Sequence, residues 1–218
     1  MHISIILDGN RRFAKKLALK PWKGHDFGAE QVEKLFDWCK ELGIQEVTLY
    51  ALSQDNLARS KVEVSFLLDL FRKFFLSRRE KFRKEGIKVR FIGRKELLPE
   101  DIQKIEKDIE EETKNNKNFK VNFCIAYSGR DEIAQAAEKL RLEGKQITKE
   151  SLKQALQLQD EPDFIIRTGN AIRTSDFLPY QSIYSEWFFL EKLWPEFTKQ
   201  DLIQCIEEFK ARERRFGK

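Results

Sequence analysis

Residues 3–13 read ISIILDGNRRF, and the change of character at Asp8 decides the fold. Ile3–Leu7 is a short apolar run of the kind buried inside a sheet. Asp8 ends the run, Gly9 lets the backbone turn sharply and frees N–H groups, and Arg11 and Arg12 bring positive charge. Outward from this stretch, short β-branched runs alternate with longer amphipathic ones. Phe27–Leu42 places Ala29, Val32, Leu35, Phe36, Cys39 and Leu42 on one helical face, and Gly43 follows as a C-cap. Glu46–Ala51 predicts a second strand. Lys61–Glu85 predicts a long helix with Phe66, Leu67, Leu70, Phe71, Phe74 and Phe75 at helical spacing. Ile87–Ile92 predicts a third strand. Pro99 opens a helix whose thin stripe, Ile102, Ile105 and Ile109, predicts a surface position. Lys120–Tyr127, Asp163–Arg167 and Trp187–Leu190 predict three more strands; Gly129–Leu142, Leu152–Leu158 and Lys199–Arg214 predict helices.

This order predicts a single α/β domain with a mostly parallel central sheet of about six strands covered by helices. Ligands of such sheets sit at the carboxyl ends of strands. Three exits therefore matter: Asp8–Phe13, Leu52–Arg59 and Arg167–Ser175.

Composition narrows the possibilities. The chain has 218 residues, enough for one domain, with 41% hydrophobic and 35% charged residues, which excludes collagen-like and largely disordered readings. Its net charge of +5 permits an anionic partner without naming one. No continuous apolar run reaches the roughly 18 residues of a membrane span, and the N-terminus turns charged too soon for a signal peptide. Cys39, Cys124 and Cys205 are far apart, as expected of reduced thiols in a cytoplasmic protein, and too few His and Cys are present for a zinc site. With only His2 and His25, acid–base chemistry must lean on carboxylates or on the substrate.

The first exit suits a Mg2+–phosphate ligand, with Asp8 on the metal and arginines on the phosphate oxygens; it reads equally as a capped turn with solvated arginines. No Walker A or GxGxxG pattern is present. The second exit, LSQDNLAR, offers Ser53, Gln54, Asp55, Asn56 and Arg59, or a plain polar turn before the long helix. The third, RTGNAIRTSDF, offers Arg167, Arg173, Thr174 and Ser175 to a pyrophosphate, or is a basic loop. Glu186, in YSEWFF, needs a metal or an arginine if buried.

Taken with GHDFGAE, LWPEF and RERRFG, these segments resemble the cis-prenyltransferases of the undecaprenyl or polyprenyl diphosphate synthase family, nearly end to end and in order. The resemblance implies a Mg2+-dependent homodimeric enzyme that adds isopentenyl diphosphate to an allylic diphosphate and forms cis double bonds. It implies Asp8 as the central catalytic and metal residue, with Gly9, Asn10, Arg11, Arg12 and Phe13 around the allylic diphosphate. It implies His25 at diphosphate or in proton movement, and Ser53, Gln54, Asp55, Asn56, Leu57 and Arg59 in a closing loop, Asn56 at the position often assigned the proton-acceptor role. It implies Arg167, Arg173, Thr174 and Ser175 at isopentenyl diphosphate, and Glu186 as a second metal-linked carboxylate. The terminal Arg215-Phe216-Gly217 resembles a motif that reaches the neighbouring subunit's site.

Some positions depart from the bacterial pattern. Arg11 and Phe13 stand where many bacterial members carry Gly and Trp, Pro21 where they often carry an Arg, Leu57 for a frequent Trp or Phe, and Asp176 for a usual Asn. A neutral amide is barely basic, so Asn56 is expected to orient substrate, and the proton acceptor is left between pyrophosphate, Asp8 and His25. The long product needs an apolar tunnel, for which the Phe-rich helix at Lys61–Glu85 is the expected wall, with Val121 and Phe123 as floor. An aromatic stripe at this spacing also reads as plain core. The product is expected to partition into a membrane, and the enzyme to stay cytoplasmic or peripheral. The alternatives are a non-catalytic partner subunit of the same fold, a prenyltransferase acting on a prenylglyceryl phosphate, and a nucleic-acid binder using the Lys210–Lys218 tail. No nucleic-acid motif supports the last.

Overall fold

A computed structural model describes residues 1–212. Six strands form one sheet: β1 (His2–Ile6), β2 (Glu46–Ser53), β3 (Ile87–Ile92), β4 (Phe119–Tyr127), β5 (Phe164–Arg167) and β6 (Glu186–Phe189). Their order is β3-β4-β2-β1-β5-β6, and every pairing is parallel. The helices are α1 (Asn10–Lys16), α2 (Gly24–Glu41), α3 (Lys61–Lys84), α4 (Glu100–Thr113), α5 (Gly129–Leu142), α6 (Lys149–Ala155) and α7 (Lys199–Ala211).

The strands are apolar because both faces of the sheet are covered. β1 alternates: Ile3 and Ile5 join the larger core beneath α2 and α3, and Ile6 joins the smaller core on the opposite face. The larger core is rich in aromatics; Phe75 contacts Phe91 and Phe123 edge-on at ring separations of 4.9 and 5.0 Å. All three cysteines are free and buried.

The chain builds from β1 through β2 to β3 and β4 on one side, then crosses back to lay β5 and β6 on the other. Strand order therefore reverses at β1, the place where an open parallel sheet forms a ligand crevice. Asp8 leaves the sheet at that point.

Three sequence expectations change. The DGNRRF exit, read as a turn, leads at once into a helix that was not expected: Asn10 already begins α1, with Gly9 (φ 116°) as its N-cap. The α4 stripe does not lie at the surface: Ile102 and Ile109 are buried, and so is Glu106 between them. Helix α7 ends at Ala211, and the Arg215-Phe216-Gly217 motif lies outside the described residues.

Candidate active site

A cavity of about 780 Å³ opens at the carboxyl ends of β1, β2 and β5. Asp8 is its centre. Asp8 Oδ2 accepts from Arg167 Nη2 at 3.0 Å, and Asp8 Oδ1 accepts from Arg12 Nη2 at 3.3 Å. The Asp8 carbonyl accepts from Thr168 Oγ1 at 2.8 Å, which ties the β1 and β5 exits together. Gly169 is left-handed (φ 87°), which disfavours any side chain, and a Cβ there would also press on the Asp8 carbonyl at 3.0 Å. Arg167 is buried, and its Nη1 donates to the Arg173 carbonyl at 2.6 Å and to Ser175 Oγ at 2.7 Å. The loop beyond it holds Asn170, Ser175, Asp176 and Leu178 at positive φ, the kind of strain that folds keep at functional sites. Asp176 anchors this loop by accepting from Ser128 Oγ at 2.5 Å and from the Arg130 N–H at 3.1 Å.

On the opposite wall the buried carboxylate of Glu63 gathers three groups. Arg59 Nη1 lies 2.9 Å, Arg11 Nε 3.7 Å and His25 Nε2 3.8 Å from Glu63 Oε1. Burial above all, then the Arg59 charge, lowers the His25 pKa to about 4, so its imidazole is neutral near pH 7. Asn56 faces the cavity from a 3₁₀ turn, Asp55–Ala58, its N–H donating to Ser53 Oγ at 3.1 Å.

The lining changes character with depth. Toward the strand exits stand Arg11, Arg12, Lys15, Arg59, Arg130, Arg167 and Arg173, against three carboxylates, Asp8, Asp55 and Asp176. Along α3 and β4 the wall is Leu67, Leu70, Phe71, Phe74, Phe75 and Phe123. One cavity thus offers a cationic end and an apolar arm.

The structure brings Asp8, Gly9, Asn10, Arg11, Arg12, His25, Ser53, Asp55, Asn56, Arg59, Arg167, Arg173 and Ser175 to this cavity. Five expected site residues lie elsewhere in the chain's own fold. Phe13 packs edge-on to Phe27 at 5.2 Å. Gln54 turns away to donate to Asp131 Oδ2 at 2.9 Å, and Leu57 packs on the core. Thr174 closes a turn through its carbonyl, which accepts from the Phe177 N–H at 3.1 Å. Glu186 pairs in register with Phe164 and, through it, with Ile3, at the amino end of the sheet. That is five residues short of Asp8, roughly 16 Å along the strand direction. Glu186 Oε2 accepts from Arg212 Nη1 at 2.6 Å, the arginine partner that the sequence left open beside a metal. Val121 is buried without lining the cavity, whereas Phe123 does line it. The sequence reading missed Glu63, Lys15, Arg130 and Asp176 as parts of the site.

Fold and site together define a class: an α/β domain with a cationic pocket at the strand exits, suited to an anionic head group, and an apolar arm beside it, suited to an apolar chain. The family model described as putative undecaprenyl diphosphate synthase matches residues 6–217. A Thermococcus kodakarensis protein named tritrans,polycis-undecaprenyl-diphosphate synthase (geranylgeranyl-diphosphate specific) is 43% identical, with 100% of this chain and 86% of that one covered. A Thermotoga maritima isoprenyl transferase is 44% identical over 99% of this chain and 96% of its own. The crystal structure of lavandulyl diphosphate synthase from Lavandula x intermedia in complex with dimethylallyl diphosphate superposes with a TM-score of 0.94 at 31% identity, covering 100% of this chain and 98% of the other. The chain belongs to the undecaprenyl diphosphate synthase family and is a cis-prenyltransferase.

Proposed function

We propose that the chain extends geranylgeranyl or farnesyl diphosphate with isopentenyl diphosphate units and releases a long-chain cis-polyprenyl diphosphate for use as a lipid carrier. The observation that carries this reading is the single cavity with a cationic end and an apolar arm. Diphosphates fit the first and a growing prenyl tail fits the second. The name of the Thermococcus relative favours geranylgeranyl diphosphate as starter.

In each cycle a carbon–carbon bond forms at the allylic carbon, the carbon–oxygen bond to diphosphate breaks, and the isopentenyl unit loses one proton. Arg12 and Arg59 stand where donors can meet the charge that develops on the leaving diphosphate, the largest available contribution in such a site. Arg167, Arg173 and Ser175 hold the second diphosphate and fix the angle of approach. Asn56 orients the reacting groups. The proton goes to a phosphate oxygen of the departing diphosphate. Phosphate groups take a second proton near pH 6, so they are stronger bases than the buried His25, with its pKa of about 4.

Mg2+ suits this donor set. It needs only one or two carboxylates when substrate phosphates supply its other ligands, and the Asp8 carboxylate, partly exposed, faces the cavity. Among the described residues no cluster of three or more His, Cys, Asp or Glu forms a closed cage. Bound there, Mg2+ would supply positive charge against the leaving diphosphate. We further propose a homodimer, with β6 at the sheet's edge and the exposed Ile183 beside it as surface to be covered.

The test is to incubate pure protein with labelled isopentenyl diphosphate, Mg2+ and each allylic starter, then size the products. Successive five-carbon additions support the reading; no incorporation with any starter overturns it.

A further inference from the structure

We propose that residues 15–23 and the first turn of α3 form a docking surface for an anionic lipid bilayer beside the cavity mouth. The segment reads KKLALKPWK. Helix α1 ends in a Schellman turn: Ala18 is left-handed (φ 56°), and the Leu19 N–H donates to the Ala14 carbonyl at 2.9 Å. This turn fixes the two leucines outward, with Leu17 47% and Leu19 41% exposed. Val62, in the first turn of α3, is 60% exposed. The two elements are joined: Lys23 Nζ lies 4.8 Å over the Phe66 ring, and Arg11 reaches Glu63.

Lysines surround these apolar side chains. Lys16 is paired with Glu196 at 2.9 Å, and Lys23 lies 3.7 Å from Asp26. Among the described residues Lys15, Lys20 and Lys61 take part in no ion pair, so the patch keeps an excess of positive charge. Exposed leucines between lysines match a bilayer surface, where the apolar groups enter the acyl boundary and the ammoniums meet anionic head groups. A nucleic acid would use the charge and leave the leucines in water. No helix among the described residues is long and apolar enough to cross a membrane, so the contact is peripheral. Lys15 is common to the patch and to the cavity wall. The biological sense of the surface rests on the proposed reaction, because an apolar product released here enters lipid without crossing water. The binding itself does not depend on that reading.

The experiment is co-sedimentation of the full chain, without substrates, with phosphatidylglycerol–phosphatidylcholine vesicles and with phosphatidylcholine vesicles alone, at low and high salt. The expected result is binding to the anionic vesicles that weakens with salt. Leu17→Ser with Leu19→Ser should weaken it roughly tenfold or more. Lys20→Glu, a change of two charges, should weaken it roughly 30-fold. Both variants should keep wild-type turnover in vesicle-free solution. Wild-type protein that stays in the supernatant overturns the proposal. So does a leucine double variant that still sediments fully, which marks a bare charge patch. A shift in oligomeric state for these variants on gel filtration also overturns it, assigning the patch to a second copy. Vesicle binding without turnover would instead sink the proposed reaction and leave the surface standing.

Discussion

Arg167 and Asp8, 159 positions apart in sequence, meet at 3.0 Å at the point where strand order reverses. Arg167 is 3% exposed; its Nη1 donates to the Arg173 carbonyl and Ser175 Oγ, and its buried Nε has no partner among the described residues. Asp8 is thus both a carboxylate that faces the cavity and the counter-charge of a buried arginine. Asp8→Ala should lower turnover by about 10²- to 10³-fold. It should also destabilise the fold by about 3 kcal/mol, since a buried charge loses its carboxylate. Single-turnover assays and urea unfolding measure the two effects separately. Full activity in the variant would remove Asp8 from the chemistry.

Glu63 holds Arg59, Arg11 and His25 about one carboxylate, and it is 4% exposed. Glu63→Gln keeps the shape and removes the charge. Arg59 then loses its partner on the loop that carries Asn56. The expected outcome is a loss of about 3 kcal/mol in stability and a fall in turnover that Arg59→Lys does not deepen when added to it. Strictly additive losses in the double variant would show that Glu63 does not act through Arg59.

How far the sequence was legible follows from which residues carry periodic signals. Strand β3 and helix α5 have the predicted bounds, because apolar spacing and the flanking glycines mark both ends. Helix α1 was missed because NRRFAKK has no apolar stripe; it buries only Asn10 and Ala14. Glu63 was missed for a similar reason. Ser60 and Glu63 have the spacing of an N-terminal capping box, and Ser60 Oγ does accept from the Glu63 N–H at 3.4 Å. Nothing in that spacing says that the carboxylate then turns inward to Arg59. Glu186 shows the converse limit: the sequence sets it just ahead of the Trp187–Leu190 strand, but only the register of β6 on β5 and of β5 on β1 shows how far that lies from Asp8.

His25 sets an acid limit on stability. Burial, Arg59 and Arg11 lower its pKa from 6.5 to about 4 against the raising effect of Glu63. Between those values the unfolded chain takes up a proton that the native site refuses, so stability rises with pH across this window. The contribution is present in full above about pH 6.5 and is lost as pH falls toward 4. This group alone should make the protein about 2 kcal/mol less stable near pH 5 than near pH 7. Urea unfolding of wild type and His25→Gln across this range checks it; an unchanged slope in the variant would refute the assignment.

Glu106 works in the opposite direction. It is fully buried on α4, neither carboxylate oxygen has a hydrogen-bond partner among the described residues, and burial raises its pKa to about 8, with Lys95 opposing. From about pH 4.5 upward the unfolded chain releases a proton that the native state retains, so stability falls as pH rises and levels off above 8. Glu106→Gln removes this slope and should stabilise the protein by about 3 kcal/mol near pH 7. Thermal unfolding at mildly acidic and mildly alkaline pH tests it; a variant less stable than wild type at alkaline pH would show that the carboxylate has a partner.

Phe71 and Phe74 separate a cavity wall from ordinary core. Both line the apolar arm of the cavity. Phe74 is also locked edge-on against Phe75 and Phe123 at 5.4 and 6.2 Å, with the Arg78 guanidinium 5.7 Å from its ring. Phe71 makes one tilted ring contact, with Phe75 at 6.1 Å, among the described residues, packs on the edge of the core and is half-buried. Removing Phe74 therefore costs core packing, about 3–5 kcal/mol, whereas removing Phe71 mainly lengthens the arm. Phe71→Ala should shift the product distribution to longer chains with a small change in melting temperature. Phe74→Ala should destabilise strongly and lengthen products less. Chromatography of labelled products beside thermal unfolding reads both, and identical product lengths in wild type and Phe71→Ala would return this ring to the core.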